Sequence, residues 1–306
     1  MQEAGKNRER PAVVAAVVSA LLAVAKLGAF WVTGSASLLA TALDSLVDVL
    51  ISSVNALVIR AAGAPADEGH PFGHGKLEHL AALFQSLVIG ALGVAAGWQG
   101  WQRIEGGEPL QQPILGLGVA AVSTVVAILL ALHLTRAAKA SRSPALSADA
   151  AHYTSDWVMN AGALVAILGE MWLGTRLIDA AVALLVAVLI LRTALQLFVD
   201  SASALLDRGL GKDEVHSVHE VLRSFQGRIH GYHDLMTRRS GQDRFVQFHI
   251  EIDGAASLHE AHKLAEEVKS AVELVLPGAR VLIHLDPWPE DTTNDPHDAH
   301  APSARL

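Results

Sequence analysis

Six apolar runs, each long enough to cross a bilayer, constrain this chain more than any other feature. They cover residues 11–33, 37–60, 79–103, 113–136, 148–173 and 177–199. A helix needs about 20 mainly apolar residues to traverse the hydrocarbon, and in lipid its backbone groups must be satisfied within the segment. The runs therefore predict an all-α six-helix transmembrane bundle. The first run, from Pro11, is of spanning length and lacks the tripartite pattern of a cleaved signal peptide. Basic residues orient the spans: Lys6, Arg8 and Arg10 precede the first, Arg60 and Lys76 flank the 61–78 loop, and Arg136, Lys139 and Arg142 fill the 137–147 loop. The opposite loops hold only Arg103 and Arg176, so the positive-inside rule places both termini in the cytoplasm. Trp31, Trp98, Trp101 and Trp172 fall at span ends on the other side, as an interfacial belt would.

The segmentation gives a short N-terminal stretch (1–10), a six-span domain (11–207), a soluble domain (208–290) and a tail (291–306). Within the soluble part, 213–225 reads as a helix, and 232–240 with 244–253 as a hairpin turning at SGQD. An amphipathic helix follows over 257–276 from a serine cap, then a strand over 280–286. The order αββαβ predicts a small two-layer α+β domain with its helices on one face of a sheet. The tail is short, polar and proline-containing, the composition of an unstructured segment.

Two aspartates in the second run carry the chemistry. ATALDSLVDVLIS (40–52) places Asp44 and Asp48 one helical turn apart, and SADAAHYTSDWVMN repeats that spacing with His152 and Asp156 in the fifth run. All four fall between the midplane and the cytoplasmic half of their spans, counting about 1.5 Å per residue. Ionisable groups inside a membrane mark a pathway more often than a packing accident. Two helices offering two ligands each can close a tetrahedron of one imidazole and three carboxylates. Donors at about 2.0–2.2 Å suit Zn2+ and also accept Fe2+, Mn2+ or Cd2+. The chain has 15 histidines and no cysteine, which excludes thiolate sites and leaves imidazole and carboxylate as the donors. Its net charge of −8 argues against a nucleic-acid partner. Once the metal leaves, clustered carboxylates cannot all stay ionised, so metal departure is expected to accompany proton uptake, with His152 the natural carrier. Spans that expose the site alternately would turn that exchange into a transport cycle.

ALDSLVDVLISSVN, HPFGHGKLEHLAALFQS, AHYTSDWVMNAG, HDLMTRRSGQDRFVQFHIEID and HLDP together resemble the cation diffusion facilitator family, and within it the bacterial zinc/iron exporters. The resemblance runs from about residue 11 to 288. It implies a homodimer in the bacterial inner membrane, with six spans per protomer and a metallochaperone-like cytoplasmic domain. It further implies export of divalent metal from cytoplasm to periplasm in exchange for protons. Carried over by residue, it assigns Asp44, Asp48, His152 and Asp156 to the transport site, and Asp67, His70 and His74 to a loop site. It assigns His233, His249, His262, His284 and Asp286 to a binuclear cytoplasmic site, and Lys76 with Asp207 to an interface ion pair. One aspartate of the pattern is replaced here by Ala66, beside the retained Asp67.

Other polar residues draw plainer readings. His216, His219, His230 and His259 read as surface residues, Lys26 as structural, and Gly93 with Gly97 as a helix-packing pair. HEAH (259–262) is not the zinc-hydrolase HExxH, because its second histidine comes one residue early. Two other function classes compete with the exporter: a membrane enzyme built on aspartate-rich magnesium sites, and a metal sensor whose tail reports occupancy.

Overall fold

A computed structural model describes residues 9–33, 36–104, 113–173, 177–289 and 304–305. The chain divides into two compact units, Met1–Ala202 and Ser203–Leu306.

The first unit holds the six long helices expected: α1 (Arg10–Thr33), α2 (Ala36–Ala62), α3 (Lys76–Ile104), α4 (Pro113–Ser141), α5 (Pro144–Leu173) and α6 (Leu177–Leu205), the last running just past the unit boundary. Among the described residues, five are long and apolar enough to cross a membrane by length and composition: α1, α2, α3, α4 and α6. The sixth, α5, has the length but carries Asp149, His152, Ser155, Asp156 and Asn160 along its first half. Those polar groups lower its mean apolarity, and two of them, His152 and Asp156, belong to the centre described below. Two of its hydroxyls turn back on the helix itself: Thr154 donates to the Ala150 carbonyl at 2.7 Å and Ser155 to that of Ala151 at 3.0 Å.

Inside the bundle, α4 packs along α5 and α1 along α2, around a core that includes Ile59, Leu134, Leu146 and Tyr153. The expected glycine pair proves to be part of a longer stripe on α3. Gly90, Gly93, Gly97 and Gly100 face Ala194, Ile190 with Leu191, Ala187 and Ala183 of α6. A Cβ at Gly93 would come within 3.0 Å of Leu191, and one at Gly100 within 3.0 Å of Ala183, so these positions let two helices approach closely. Large side chains such as Val17, Leu21, Leu50, Leu57, Phe84 and Leu129 point outward, as they do where lipid is the solvent.

The second unit has the predicted αββαβ order: α7 (Lys212–Ser224), β1 (Gly231–Ser240), β2 (Asp243–Asp253), α8 (Leu258–Val275) and β3 (Ala279–Trp288). Strand β2 pairs antiparallel with β1 and parallel with β3, the crossover being α8. Ser257 caps α8: its hydroxyl accepts from the Glu260 N–H while the Glu260 carboxylate accepts from the Ser257 N–H, a reciprocal box. Alternation along β2 sends Val246, Phe248, Ile250 and Ile252 into the core with Val218 and Leu222 of α7 and Val268 and Val272 of α8. Glu214 of α7 holds Arg239 and Arg244 of the hairpin, each at 2.8 Å. Most of the tail expected to be unstructured lies outside the described residues. Ala304–Arg305 form a two-residue strand, β4, paired with Gly231 and Tyr232.

Candidate metal centres

Among the described residues, three groups of histidine and carboxylate side chains converge closely enough to hold a cation. The first lies between α2 and α5. Asp48, His152 and Asp156 each offer a donor atom, and these atoms all lie within 4.8 Å of one another. His152 Nε2 stands 3.0 Å from Asp48 Oδ1 and 3.7 Å from Asp156 Oδ2. His152 is 2% exposed, and its Nδ1 has no hydrogen-bond partner. Asp156 Oδ2 is likewise buried and lacks a hydrogen-bond partner. Buried polar atoms left open in this way are costly unless something else fills them.

Asp44, the fourth expected ligand, is not gathered with these three. It sits one turn before Asp48 on an exposed position of α2. Lys26 of α1 donates to the Thr41 carbonyl at 3.2 Å and to the Ser45 hydroxyl at 2.9 Å, and its charge lies within electrostatic reach of Asp44, Asp48 and Asp156. Its expected structural role therefore takes the form of a hydrogen-bonded bridge between α1 and α2.

The second group forms in the loop between α2 and α3. Asp67 Oδ1 accepts from the His70 backbone N–H at 2.6 Å and stands 3.2 Å from His70 Nδ1, while Asp67 Oδ2 lies 3.3 Å from His74 Nε2. The His70 N–H, more than any other contact, holds the Asp67 carboxyl below the usual carboxylate range. The turn depends on Gly73, whose φ of +85° is a conformation that side chains disfavour. With Asp67 and His70 more than half exposed, this group offers an open, watery site.

The third group forms on the face of the sheet opposite the helices. Pairing register puts His233, His249 and His284 side by side on β1, β2 and β3. The Asp286 carboxylate touches all three: Oδ1 lies 2.8 Å from His284 Nδ1, and Oδ2 lies 3.0 Å from His249 Nδ1 and 3.3 Å from His233 Nε2. One carboxylate shared by three imidazoles is the arrangement that can bridge two cations. His262 does not join them. It is exposed on α8, whose Ala261, Val268 and Val272 pack on the other face of the sheet.

Two acidic residues here escaped the sequence reading. Asp234 is placed with His233 and His249 as a possible ligand. Simple alternation would turn it to the opposite face, but the register shifts between His233 and Met236, and Asp234 adopts a φ of +50°. Glu251 Oε1 lies 3.5 Å from His233 Nδ1. Its position two residues after His249 already predicted a shared face.

The interface pair implied by the resemblance divides between the units. Lys76 opens α3, and Asp207 accepts from Arg238 at 3.4 Å within the second unit. Of the other histidines, His219 is bonded to the Tyr232 hydroxyl at 2.9 Å, and His230 stacks on Trp288.

Comparison with known proteins places these centres in context. The family description "Cation efflux transmembrane domain" matches residues 12–206, and "Cation efflux protein, cytoplasmic domain" matches 210–288. The cation-efflux pump FieF of Yersinia pestis (strain Pestoides F) is 43% identical over 276 residues, covering 90% of this chain and 91% of the relative. FieF of Yersinia pseudotuberculosis serotype O:3 (strain YPIII) matches to the same extent. The solved CzrB chain in its zinc form is 36% identical and covers 27% of this chain and 93% of its own, with a TM-score of 0.26.

Proposed function

From the premise that this chain belongs to the cation efflux family, also called the cation diffusion facilitators, we propose that it is a proton-coupled exporter of zinc-like divalent cations. Family membership makes it a multi-pass membrane transporter and sets aside the membrane-enzyme reading. The finer proposal is that Zn2+, or Fe2+ or Cd2+ in its place, leaves the cytoplasm for the periplasm of a bacterium by alternating access, with both termini cytoplasmic.

One observation carries it: Asp48, His152 and Asp156, from two spans, hold their donor atoms within 4.8 Å of one another. Oxygen and nitrogen donors so placed suit a dication at about 2.0–2.2 Å after a small closure. When the ion departs, two carboxylates and an imidazole face each other in a medium of low dielectric. Proton uptake by His152 and by a carboxylate then replaces the lost charge, which couples efflux to protons flowing the other way. Asp44, one turn away on α2, is positioned to complete the set if α2 rotates during the cycle.

The tail unit supports a regulatory role in a homodimer. Its Asp286-centred cluster would hold resident Zn2+, and His262 would ligate only a cluster on a second copy. Lys76 and Asp207 would take part in that homodimer's interface.

The test is flux into proteoliposomes that contain a zinc-sensitive dye, under an imposed pH gradient. Wild-type protein is expected to give a zinc signal that follows the gradient. Asp48→Ala and Asp156→Ala are expected to abolish it while still inserting as folded protein. Full-rate transport by either variant would remove the site from the proposal.

A further inference from the structure

Beside the membrane centre lies a buried chain of hydroxyls ending on a carboxylate that the transport chemistry does not use. Ser19 of α1 meets the Tyr153 hydroxyl at 2.8 Å, Tyr153 meets Ser52 Oγ of α2 at 3.0 Å, and Ser52 donates to Asp149 Oδ1 at 3.2 Å. Their residue exposures are 1%, 2%, 0% and 0%. Asn55 of α2 and Gln85 of α3, themselves bonded at 2.9 Å, face the same carboxylate. Because the Ser52 hydroxyl donates to the Asp149 oxygen, the direction of every bond before it is set. Ser52 must give its proton to Asp149, Tyr153 must then give to Ser52, and Ser19 to Tyr153. Four helices thus meet at a directional network.

The network sits next to the ligands. Ser52 is one turn after Asp48 on α2, and Asp149 is one turn before His152 on α5. Tyr153 adjoins His152 and packs edge-on against its ring, with centroids 5.6 Å apart. The same two helices that supply the candidate ligands are therefore pinned to each other within a turn of them. A centre whose donors come from separate helices has no local chain geometry to set its size, so the spacing of those helices must do so.

We propose that Asp149, with Ser52 and Tyr153, is a positioning group that sets the α2–α5 separation and thereby the affinity and ion preference of the centre. The proposal rests on Asp48, His152 and Asp156 being the transport site. It adds that Asp149, though a carboxylate in the membrane, touches no cation and acts through the two hydroxyls. Hydrogen bonds between buried side chains of different helices hold those helices at one spacing, and removing one member leaves its partners unpaired.

The experiment is proteoliposome flux on full-length protein, with Zn2+ and Cd2+ each supplied alone, measured for Ser52→Ala, Tyr153→Phe, Asp149→Leu and Asp149→Asn. Ser52→Ala, Tyr153→Phe and Asp149→Leu are expected to raise the zinc KM about tenfold, the low end of what supporting residues around a metal cost. They are also expected to change the Zn2+/Cd2+ KM ratio. Asp149→Asn, whose amide oxygen still accepts from Ser52, is expected to restore both values toward wild type. A purely structural role would lower the amount of protein in the membrane and the maximal rate while leaving KM and the ion ratio alone, and that result overturns the proposal. Asp48→Ala run in parallel separates the two claims. If it transports normally, the site itself is wrong; if it is silent while the three network variants keep wild-type KM values, only this inference fails.

Discussion

His152 on α5 is 2% exposed among apolar helices, while the His284 side chain on β3 is 65% exposed, yet each stands within 3.0 Å of a carboxylate. The membrane centre and the tail centre use the same two donor types in opposite surroundings. In the membrane, removing one partner leaves the remaining charge in largely buried surroundings, which is costly. At the sheet surface, water, Asp234 and Glu251 stand ready to take the place of a lost ligand. The difference teaches that similar donor sets need not share a job. Under the proposed function, the buried centre would serve passage of the ion and the exposed one adjustable occupancy.

The sharpest way to break this comparison is to delete one ligand from each centre. Asp156→Ala is expected to abolish zinc flux in proteoliposomes, whereas His284→Ala is expected to reduce it by less than about tenfold. Equal loss in both would erase the distinction. Next in size is a change of donor rather than its removal. His152→Asp makes an all-carboxylate, harder centre, and competition flux is expected to broaden toward Mn2+. An unchanged competition profile would count against His152 as a ligand.

A smaller effect is expected from the tail. If Zn2+ binds the tail cluster only in the paired form, it stabilises that pairing by mass action. Replacing His233 and His284 together with alanine should therefore weaken zinc-dependent dimerisation in analytical sedimentation, while flux persists. Identical sedimentation with and without zinc in the wild type would refute the regulatory role.

The smallest effect separates His219 from the histidines of the candidate centres. Burial, then the neighbouring Arg223 and His216, hold its pKa below the ordinary histidine value. A depressed folded value means the unfolded chain takes up the proton first. The stability from neutral His219, including its bond to Tyr232, is thus present above about pH 6.5 and lost as pH falls toward the folded value. His219→Gln should flatten the acid dependence of unfolding of the tail unit below about pH 6.5. An unaltered slope would show that His219 contributes nothing there.

Particular residues show how far the sequence carried. The spans, the αββαβ order and the Ser257 cap were legible because apolar length, alternation and capping chemistry act locally. The i, i+4 pairs on α2 and α5 were legible for the same reason, since helical spacing alone puts each pair on one face. Asp149 went unread although it lies three residues before His152 on that face. Its meaning depends on Ser52, Asn55 and Gln85 arriving from other helices. Asp234 was hidden by a bulge that no alternation rule foresees. His262 was assigned to the tail cluster through the family resemblance, and which face of the sheet its helix covers is not legible in residue type.

The sequence by itself determined what crosses the membrane, what folds in water and which side chains are able to bind a cation, because hydrophobicity and donor chemistry belong to each residue. Tertiary structure alone decided that Asp48 meets His152 and Asp156 while Asp44 stands aside, and that Asp286 joins three strands. Those outcomes are distances between segments remote in the chain. They follow from how α2 packs on α5 and how β3 pairs with β2, and no local preference encodes them.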